Sequence, residues 1–420
     1  MRLNGLNMPS RLFRLCLNQL LFICIFLSTL SAAYAARHFP AGVNLVLIHP
    51  VQGIQIDRLK DIGPLVAQSI SAGAYPGAVV LAGYKGHIIY QGVFGNRRLE
   101  PSIAPMQIDT IFDVASLTKV IATAPAIMQL VEKHKLKLDA PVSYYWHAFG
   151  KQGKAAITIR QLLTHTSGLP PDLPPSVHLA RDAECMYAWR GEKQALREIA
   201  NVKLAAPPGT KVIYSDINFV VLAYLVEKIT GQRIDKYAQA NIYKPLGMFH
   251  TFYLPKPGWL DRIAPTAFIH NKLRWGKVND PTAFAMNGVA GHAGVFSNAM
   301  DLSIYAQTML NLGLITKSKH KYVLRPRTIA SMIIPQTPTH IANVRGLGWD
   351  IDLLLSKHHI NGLAYGHTGW TGTSIWINPK TQTWLIILTS RTHPHPLLHN
   401  KLIKDRYAIA HMVAQSIQDS

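Results

Sequence analysis

Two segments near opposite ends of the chain show the hydrophobic pattern of paired β-strands. Residues 77–95, GAVVLAGYKGHIIYQGVFG, form two runs rich in β-branched and aromatic residues on either side of the Lys-Gly pair at residues 85–86. A glycine-containing pair between two such runs predicts a tight turn and an antiparallel hairpin. Residues 372–390, GTSIWINPKTQTWLIILTS, predict two further strands with a turn at residues 378–380.

Three other segments carry apolar residues at the spacing of a helix. Residues 116–134 predict a mostly apolar helix, in which Pro125 must kink the axis or shift the hydrogen bonds because proline has no backbone N–H. Residues 218–232, NFVVLAYLVEKITGQ, predict a helix that closes near Gly231. Residues 405–418, DRYAIAHMVAQSIQ, predict a final helix.

The order of these elements predicts an α+β fold. Strands lie near both ends of the chain, and residues 140–285 combine helices with loops rich in proline and glycine. We therefore expect one antiparallel sheet built from both termini and flanked by helices, with a mainly helical region inserted at roughly 140–285. We expect residues 36–420 to form a single domain, because no internal repeat or low-complexity linker divides them.

The first 35 residues have the features of an export signal. A start with three arginines and no acidic residue precedes an apolar run at residues 20–30 and the small-residue pattern Ala-Tyr-Ala at residues 33–35. This pattern predicts a signal peptide at residues 1–35 with cleavage before Ala36. An uncleaved membrane anchor is the alternative, although the run is shorter than the roughly 20 residues that a spanning helix needs. We expect a protein that is exported to the periplasm or cell envelope.

The net charge and the cysteine content indicate which surroundings the protein favours and whether a disulfide is expected. The formal net charge is +21, and removal of the three signal arginines leaves +18. Such a surface favours anionic surroundings such as the cell envelope, but the basic residues are scattered and form no nucleic-acid-binding motif, so we expect no nucleic-acid partner. Cys185 alone remains after the signal, so no internal disulfide is expected and the fold depends on its apolar core.

Ser116 and Lys119 are the first candidates for chemistry. Residues three apart share a helix face, so the lysine amine reaches the serine hydroxyl. The stretch after Lys119 is apolar, which predicts a buried helix whose lysine is shielded from water. A lysine buried in this way can have a lowered pKa and act as a base. Without further support, the pair fits equally well with two polar residues on a solvated helix face.

Two later segments add candidates. Tyr214 lies between a β-like stretch and a helix, where it either relays a proton or is a half-buried tyrosine with a satisfied hydroxyl. In residues 365–377, YGHTGWTGTSIWI, three glycines at a strand start indicate backbone that passes close to another group such as a ligand. His367 and Thr368 then point into a site; the alternative is an edge strand with glycine-assisted bulges.

Together, the three segments resemble the Ser-x-x-Lys, Tyr-x-Asn and Lys-Thr-Gly boxes of the serine β-lactamase and penicillin-binding-protein superfamily, in the same order. The flanking sequences resemble its class C and esterase-like branch: ITIRQLLTHTSGL, PPGTKVIYSDINFVVLAYLVEKITG, IYKPLGM and GVAGHAGVFSNAMDL. The resemblance covers nearly all of the mature chain. It implies the β-lactamase/DD-peptidase-like fold, a serine hydrolase that works through an acyl-enzyme, and no metal or cofactor.

The resemblance also assigns roles to residues of this sequence. Ser116 becomes the nucleophile, and Lys119 accepts its proton with assistance from Tyr214. The backbone N–H groups of Ser116 and Trp370 form the oxyanion hole. Thr368, followed by Gly369 in the third box, contacts the carboxylate or amide of the substrate.

Two positions depart from the family pattern. Asp216 stands where the second box has asparagine, and it adds negative charge that raises the pKa of Lys119 unless the aspartate is itself paired or protonated. His367 stands where the third box has lysine, and an unperturbed histidine carries a charge only below about pH 6.5. Both departures argue against an efficient β-lactamase and leave acyl-enzyme formation intact. We expect both residues to contact the substrate.

These features favour a D-alanyl-D-alanine carboxypeptidase or peptidase that acts on cell-wall peptides. An esterase or a weak class C-like β-lactamase is the first alternative, so the substrate is a peptide or another small acyl compound. A non-catalytic peptidoglycan-binding relative is the second alternative. The other histidines are expected to be structural or at the surface: His165 bonds backbone at a turn, His292 lines the cleft or is structural, and a surface loop carries His393, His395 and His399.

Overall fold

The computed structural model describes residues 46–47, 52–175, 185–316, 321–351, 364–395 and 399–417. The predicted signal peptide and its cleavage site lie outside these ranges. Within the described part of the chain, no helix is both long and apolar enough to span a membrane.

A seven-stranded sheet forms the centre of the molecule, and it confirms the predicted antiparallel sheet built from both ends of the chain. The strands run in the order β1-β3-β2-β14-β13-β12, with β4 paired to β3. All pairs are antiparallel except β1 with β3. The strands of this sheet are β1 (Val46–Leu47), β2 (Gly77–Tyr84), β3 (His87–Arg98), β4 (Ala104–Pro105), β12 (Tyr365–Thr368), β13 (Ser374–Asn378) and β14 (Thr383–Thr389).

Small sheets surround the central one in the described residues. A three-stranded sheet has the order β5-β9-β6, and β7 with β8 and β10 with β11 form two-stranded sheets. Their bounds are β5 (Phe112–Asp113), β6 (Phe252–Tyr253), β7 (Phe268–Ile269), β8 (Lys272–Leu273), β9 (Val295–Ser297), β10 (Leu314–Thr316) and β11 (Lys321–Tyr322). Of these, β5 matters most for function because it ends three residues before Ser116.

Helices cover both faces of the central sheet. The α-helices are α1 (Ile62–Ser71), α2 (Ala124–Glu132), α3 (Val142–Tyr145), α4 (Ile159–Leu163), α5 (Glu192–Asn201), α6 (Asp216–Thr230), α7 (Ile234–Ala238), α8 (Lys244–Leu246), α9 (Pro281–Ala285), α10 (Ala299–Leu310), α11 (Pro326–Met332) and α12 (His399–Gln415). Among the described residues, three 3₁₀ helices occupy Ile56–Leu59, His147–Gly150 and Pro257–Arg262, and two π-helical turns occupy Lys119–Thr123 and Gln239–Tyr243.

The alternation of side chains along β2 explains how two cores form on one sheet. Val80 and Ala82 pack in a cluster with residues of α1 and α12. Val79 and Leu81 point to the opposite face and join the large core that includes α2, α6 and α10. Because successive strand residues face opposite sides of a sheet, an entirely buried strand has to be apolar throughout, as β2 is.

The helix predicted from residue 116 is interrupted in the manner that its proline requires. Residues 119–123 form a π-helical turn, and the α-helical hydrogen bonds begin only with α2, which has Pro125 in its first turn. The predicted shift of hydrogen bonds is therefore confirmed. The helix α6 ends at Gly231 in the left-handed conformation, as predicted, and it begins two residues earlier than the sequence indicated.

Candidate active site

Ser116 follows a short loop that is held by a buried carboxylate. Asp113, at the end of β5, accepts hydrogen bonds from the backbone N–H groups of Ala115 (2.9 Å) and Asn279 (2.6 Å). Ala115 has a positive φ of 47°, which a non-glycine residue adopts only when its surroundings enforce it. Burial raises the pKa of Asp113 to about 6, against the effect of the two N–H donors. This loop fixes the position of Ser116 at the start of the helical segment.

The side chain of Lys119 lies directly behind the serine. Its Nζ donates to Ser116 Oγ over 2.9 Å and to the carbonyl oxygen of His292 over 3.2 Å. Asp216 Oδ1, in the first turn of α6, lies 2.6 Å from the same nitrogen. The lysine side chain is fully buried, which confirms the predicted buried helix. The structure thus brings the first candidate pair together with the aspartate that departs from the family pattern.

The charge state of Lys119 differs from the sequence-based expectation. Burial alone lowers the pKa of this amine, but the neighbouring Asp216 carboxylate and the Tyr214 hydroxyl outweigh burial and hold the pKa above its ordinary value. The expectation of a lowered pKa is therefore wrong, whereas the expectation that Asp216 raises it is confirmed. Neutral Lys119 is the minor form at neutral pH.

Tyr214 stands over the lysine at the edge of the cavity. The centroid of its ring lies 4.8 Å from Lys119 Nζ. The same ring stacks on the ring of His165, with the two centroids 4.4 Å apart. His165 is fully buried and its Nδ1 accepts a hydrogen bond from the backbone N–H of Ser215 over 3.0 Å. This contact confirms that His165 bonds backbone at a turn. His165 thus bonds the backbone of Ser215, the residue after Tyr214, and stacks on the Tyr214 ring. Through these two contacts it positions the Tyr214 phenol.

The third candidate segment lies along the opposite wall, on β12 and the turn after it. A Cβ at Gly369 would lie 2.2 Å from Thr373 Oγ1 and 2.6 Å from the carbonyl oxygen of Val114, distances at which neighbours have to move. The glycine therefore allows this turn to approach the loop that carries Ser116. The glycines of this segment predicted that another group passes close to its backbone. Part of that group is the protein's own backbone, at the carbonyl oxygen of Val114.

A cavity of about 330 Å³ opens between these elements. Besides Ser116, five residues predicted for the site line the cavity, and three residues that were not predicted line it as well. Its lining consists of Ser116, Tyr214, His367, Thr368, Gly369 and Trp370 together with the unpredicted Arg345, Asp350 and Arg406. Lys119 and Asp216 do not line the cavity and lie behind Ser116. The missed residues carry no motif, so composition and spacing had no signal for them.

His367 differs electrostatically from what its sequence position indicated. The side chain is almost fully buried, and its Nδ1 lies 2.9 Å from the carbonyl oxygen of Thr368. Burial, together with the positive charges of Arg345 and Lys119, holds the pKa of His367 well below its ordinary value. His367 therefore does not keep the unperturbed value, and its imidazole is neutral at neutral pH.

A second ion pair lies beside the first. His292 Nε2 is 2.8 Å from Asp280 Oδ1, and this carboxylate raises the pKa of the buried histidine against the effect of burial. His292 does not line the cavity, and the structural alternative applies to it. Within the described residues, ligand atoms of Asp216, Asp280 and His292 lie within 4.8 Å of one another, near enough to hold a metal ion. The two ion pairs already account for these groups without one.

The histidines near the end of the chain are not equivalent. His393 is 2% exposed, and its Nε2 accepts a hydrogen bond from the backbone N–H of Leu99 over 3.0 Å. The prediction of a surface position is therefore wrong for His393, which ties the segment after β14 to the end of β3. The ring of His395 lies 6.0 Å from that of Phe268. His399 is the first residue of α12.

The chain is similar in sequence to known proteins over most of its length. The sequence profile described as "Beta-lactamase" matches residues 62–408. The chain is 30% identical over 374 residues to an Escherichia coli (strain K12) protein named "Putative D-alanyl-D-alanine carboxypeptidase", which covers 81% of this chain and 84% of the relative. It is 33% identical over 369 residues to "N-acetylmuramyl-L-alanine amidase" of Bacillus subtilis (strain 168), with 80% and 81% covered.

Solved structures show the same fold. The enzyme described as "EstCE1, a hydrolase with promiscuous acyltransferase activity" superposes with a TM-score of 0.68 at 23% identity, over 84% of this chain and 99% of that chain. A penicillin-binding-protein homologue from Caulobacter crescentus gives a TM-score of 0.66 at 18% identity, over 85% and 99%. The predicted β-lactamase/DD-peptidase-like fold is thus confirmed. The chain belongs to the Beta-lactamase family and is a serine hydrolase.

Proposed function

We propose that the protein forms an acyl-enzyme on Ser116. The observation that carries the proposal is the 2.9 Å contact between Ser116 Oγ and Lys119 Nζ at a cavity open to substrate. Neutral Lys119 takes the hydroxyl proton while Oγ attacks the substrate carbonyl, and the resulting ammonium is held by Asp216. The C–O bond of the ester forms as the bond to the leaving group breaks.

The surrounding groups complete the cycle. The backbone N–H groups of Ser116 and Trp370 receive the developing oxyanion, an interaction worth about 3 kcal/mol per donor in enzymes of this chemistry. The proton passes from Lys119 through Tyr214 to the leaving group, because the phenol lies at the cavity edge beside the amine. Tyr214 and Lys119 then take a proton from water as it attacks the ester carbonyl. They return this proton to Ser116 Oγ as the bond between Oγ and the acyl carbon breaks, which releases the acid and restores the serine.

The substrate that we propose is a D-alanyl peptide of the cell wall, hydrolysed as by a D-alanyl-D-alanine carboxypeptidase. The name of the Escherichia coli relative supports this class. An esterase is the second candidate, and the neutral His367 favours it because position 367 supplies no charge for a carboxylate. Thr368 and Gly369 on the cavity wall contact the substrate in either case. A cell-wall substrate also accords with export of the mature chain from Ala36 as a single domain, and with its basic surface.

Covalent labelling tests the nucleophile. The purified chain is incubated with a fluorescent penicillin or a fluorescent fluorophosphonate, and the adduct is located by peptide mass spectrometry. We expect one labelled serine, Ser116, and no label in Ser116→Ala. The exposed Ser102 provides a matched control, since Ser102→Ala should keep full labelling. Labelling that persists in folded Ser116→Ala would show that the proposed nucleophile is wrong.

A further inference from the structure

The turn at residues 369–373 carries the N–H group of Trp370, and its glycines make the turn flexible by itself. A 3.1 Å hydrogen bond from the N–H of Gly372 to the carbonyl oxygen of Gly369 closes it. Gly372 has a positive φ of 118°, and glycine has access to more backbone conformations than any other residue. The indole side chain of Trp370 is 63% exposed, so burial does not fix its position. The direction of the Trp370 N–H therefore depends on the contacts that other segments make with the turn.

On the side of the nucleophile, two hydroxyl groups attach the turn to the loop that leads to Ser116. Thr371 Oγ1 donates to the carbonyl oxygen of Asp113 over 2.7 Å. Thr373 Oγ1 donates to the carbonyl oxygen of Val114 over 3.0 Å. These two bonds fix the distance between the turn and the serine. Neither bond involves the residue that carries the proposed oxyanion-hole N–H.

Arg391 holds the opposite side of the turn with three contacts. It is the second residue after β14 and is 3% exposed. Its Nε donates to the carbonyl oxygen of Trp370 over 2.7 Å, and its guanidinium carbon lies 4.4 Å from the centroid of the Trp370 ring. Its backbone N–H donates to the carbonyl oxygen of Thr371 over 2.8 Å. One arginine thus restrains both the backbone and the side chain of Trp370.

The charge of Arg391 is relevant to the chemistry at the neighbouring serine. Burying a charged group costs more free energy than burying a neutral donor, and burial lowers the pKa of Arg391 accordingly. In return, a hydrogen bond from a guanidinium is roughly twice as strong as one between neutral groups. A positive charge beside Trp370 also favours negative charge on an oxygen bound at its N–H, which a neutral donor would not do.

From these contacts we infer that Arg391 is a positioning residue for the oxyanion hole, which holds Trp370 so that its N–H meets the carbonyl oxygen of the substrate. The inference rests on the proposed function, because that function assigns the oxyanion to the N–H groups of Ser116 and Trp370. The described residues that line the cavity do not include Arg391, so it acts through Trp370. Its effect falls on the transition state, in which the oxygen carries the most charge, more than on substrate binding.

Acylation by two esters that differ in one atom tests the inference. The attacked carbon carries oxygen in p-nitrophenyl acetate and sulfur in the thionoester analogue, and sulfur accepts hydrogen bonds weakly. Arg391→Met removes the charge and the donors, Arg391→Lys keeps the charge without the planar group, and Lys154→Met is the matched control. Lys154 is also a buried cation that donates to backbone carbonyl oxygens, those of Ala200 and Val202, and it does not line the cavity.

The ratio of the two acylation rates distinguishes positioning from a merely structural role. We expect Arg391→Met to lower the ester rate about 10- to 100-fold relative to the thionoester rate, because a misplaced donor loses much of its effect. Arg391→Lys should lower this ratio at least about threefold, and it decides the test if thermal unfolding shows that Arg391→Met does not fold. The control should keep the wild-type ratio even if it melts at a lower temperature. An unchanged ratio in the folded Arg391 variants would overturn the inference.

Amide hydrogen exchange separates this inference from the proposed nucleophile. It is measured by mass spectrometry on peptides that contain the turn, in Ser116→Ala alone and combined with each Arg391 variant or with Lys154→Met. We expect the Arg391 variants to speed exchange of the Gly369 and Gly372 N–H groups, which bond within the turn, about tenfold, and the control to leave it unchanged. Unchanged exchange in the Arg391 variants would overturn the inference even if Ser116 is acylated normally. A wild-type chain that is not acylated on Ser116 would instead refute the proposed function, and faster exchange would still support the hold of Arg391 on the turn.

Discussion

Replacement of Asp216 by asparagine is the sharpest test of how the Ser116 and Lys119 pair is tuned. The substitution removes a negative charge whose oxygen lies 2.6 Å from Lys119 Nζ and keeps the side-chain shape. Burial, the largest influence on this amine, then lowers its pKa with less opposition. If neutral Lys119 is the base, acylation rises with pH up to a plateau above that pKa, so the rise should move to lower pH in the variant.

The size of the effect follows from the distance. Two charges 2.6 Å apart attract each other by about 6 kcal/mol at an effective dielectric constant of about 20. Because the Asp216 side chain is 21% exposed, solvent screens part of this attraction. Even a third of it, about 2 kcal/mol, exceeds the 1.4 kcal/mol that corresponds to a tenfold change in the neutral fraction. At a pH below the pKa of Lys119 in both proteins, the variant should therefore be acylated at least about tenfold faster than wild type.

The assay uses an uncharged ester, so that carboxylate recognition does not contribute. Single-turnover acylation is measured between pH 5.5 and 9.5 in wild type, Asp216→Asn and Asp350→Asn. Asp350 is the matched control, because it is a carboxylate of the same cavity that makes no ion pair with Lys119. A folded Asp216→Asn that is acylated no faster than wild type at any of these pH values would refute neutral Lys119 as the base. The same increase in Asp350→Asn would show that general field effects, and not the ion pair, set the rate.

Three further predictions concern the surroundings of the site and the start of the chain. Because burial raises the pKa of Asp113 to about 6, its protonated form stabilises the fold at low pH, and about 3 kcal/mol is lost as pH rises from below 3.8 through 6. Chemical denaturation at pH 4 and 7.5 should show a loss of unfolding free energy that is about 2 to 3 kcal/mol smaller in Asp113→Asn than in wild type, and equal losses would contradict this. Gly369→Ala should lower the unfolding free energy by about 1 to 3 kcal/mol and slow acylation, since its Cβ would lie 2.2 Å from Thr373 Oγ1, and an unchanged melting temperature would contradict this. Mass spectrometry of protein from native cell envelopes should find Ala36 as the first residue, and a full-length membrane-bound product would contradict cleavage.

The strands and helices were predictable where local pattern and tertiary structure agree. The hairpin of β2 and β3 and that of β13 and β14 follow directly from β-rich runs around short turns. The boundaries were less predictable: α12 starts at His399, six residues before the predicted helix, because polar residues in its first turns hide the periodicity. The residues of the Ser-x-x-Lys segment could be found because one helix turn fixes their distance.

Residues that meet only through tertiary structure could not be found from local spacing. Arg345 reaches the cavity because its turn pairs with β12, and Arg406 because α12 packs across the sheet from the other end of the chain. The burial of His367 was equally invisible in the sequence. The sequence offered only the pKa of an unperturbed histidine for His367, whereas burial and the charges of Arg345 and Lys119 keep the imidazole neutral.

The position of β14 in the sheet has a consequence for when the protein becomes active. This late strand lies between β13 and β2, so it joins segments whose positions in the chain differ by about 300 residues. The turn after Thr368 belongs to the same sheet and bonds the loop of Ser116, with Thr373 Oγ1 donating to the carbonyl oxygen of Val114 over 3.0 Å. We therefore expect the cavity to stay incomplete during biosynthesis until β14 has emerged and paired with β2. Chains that are cleaved ahead of β14 should then be inactive.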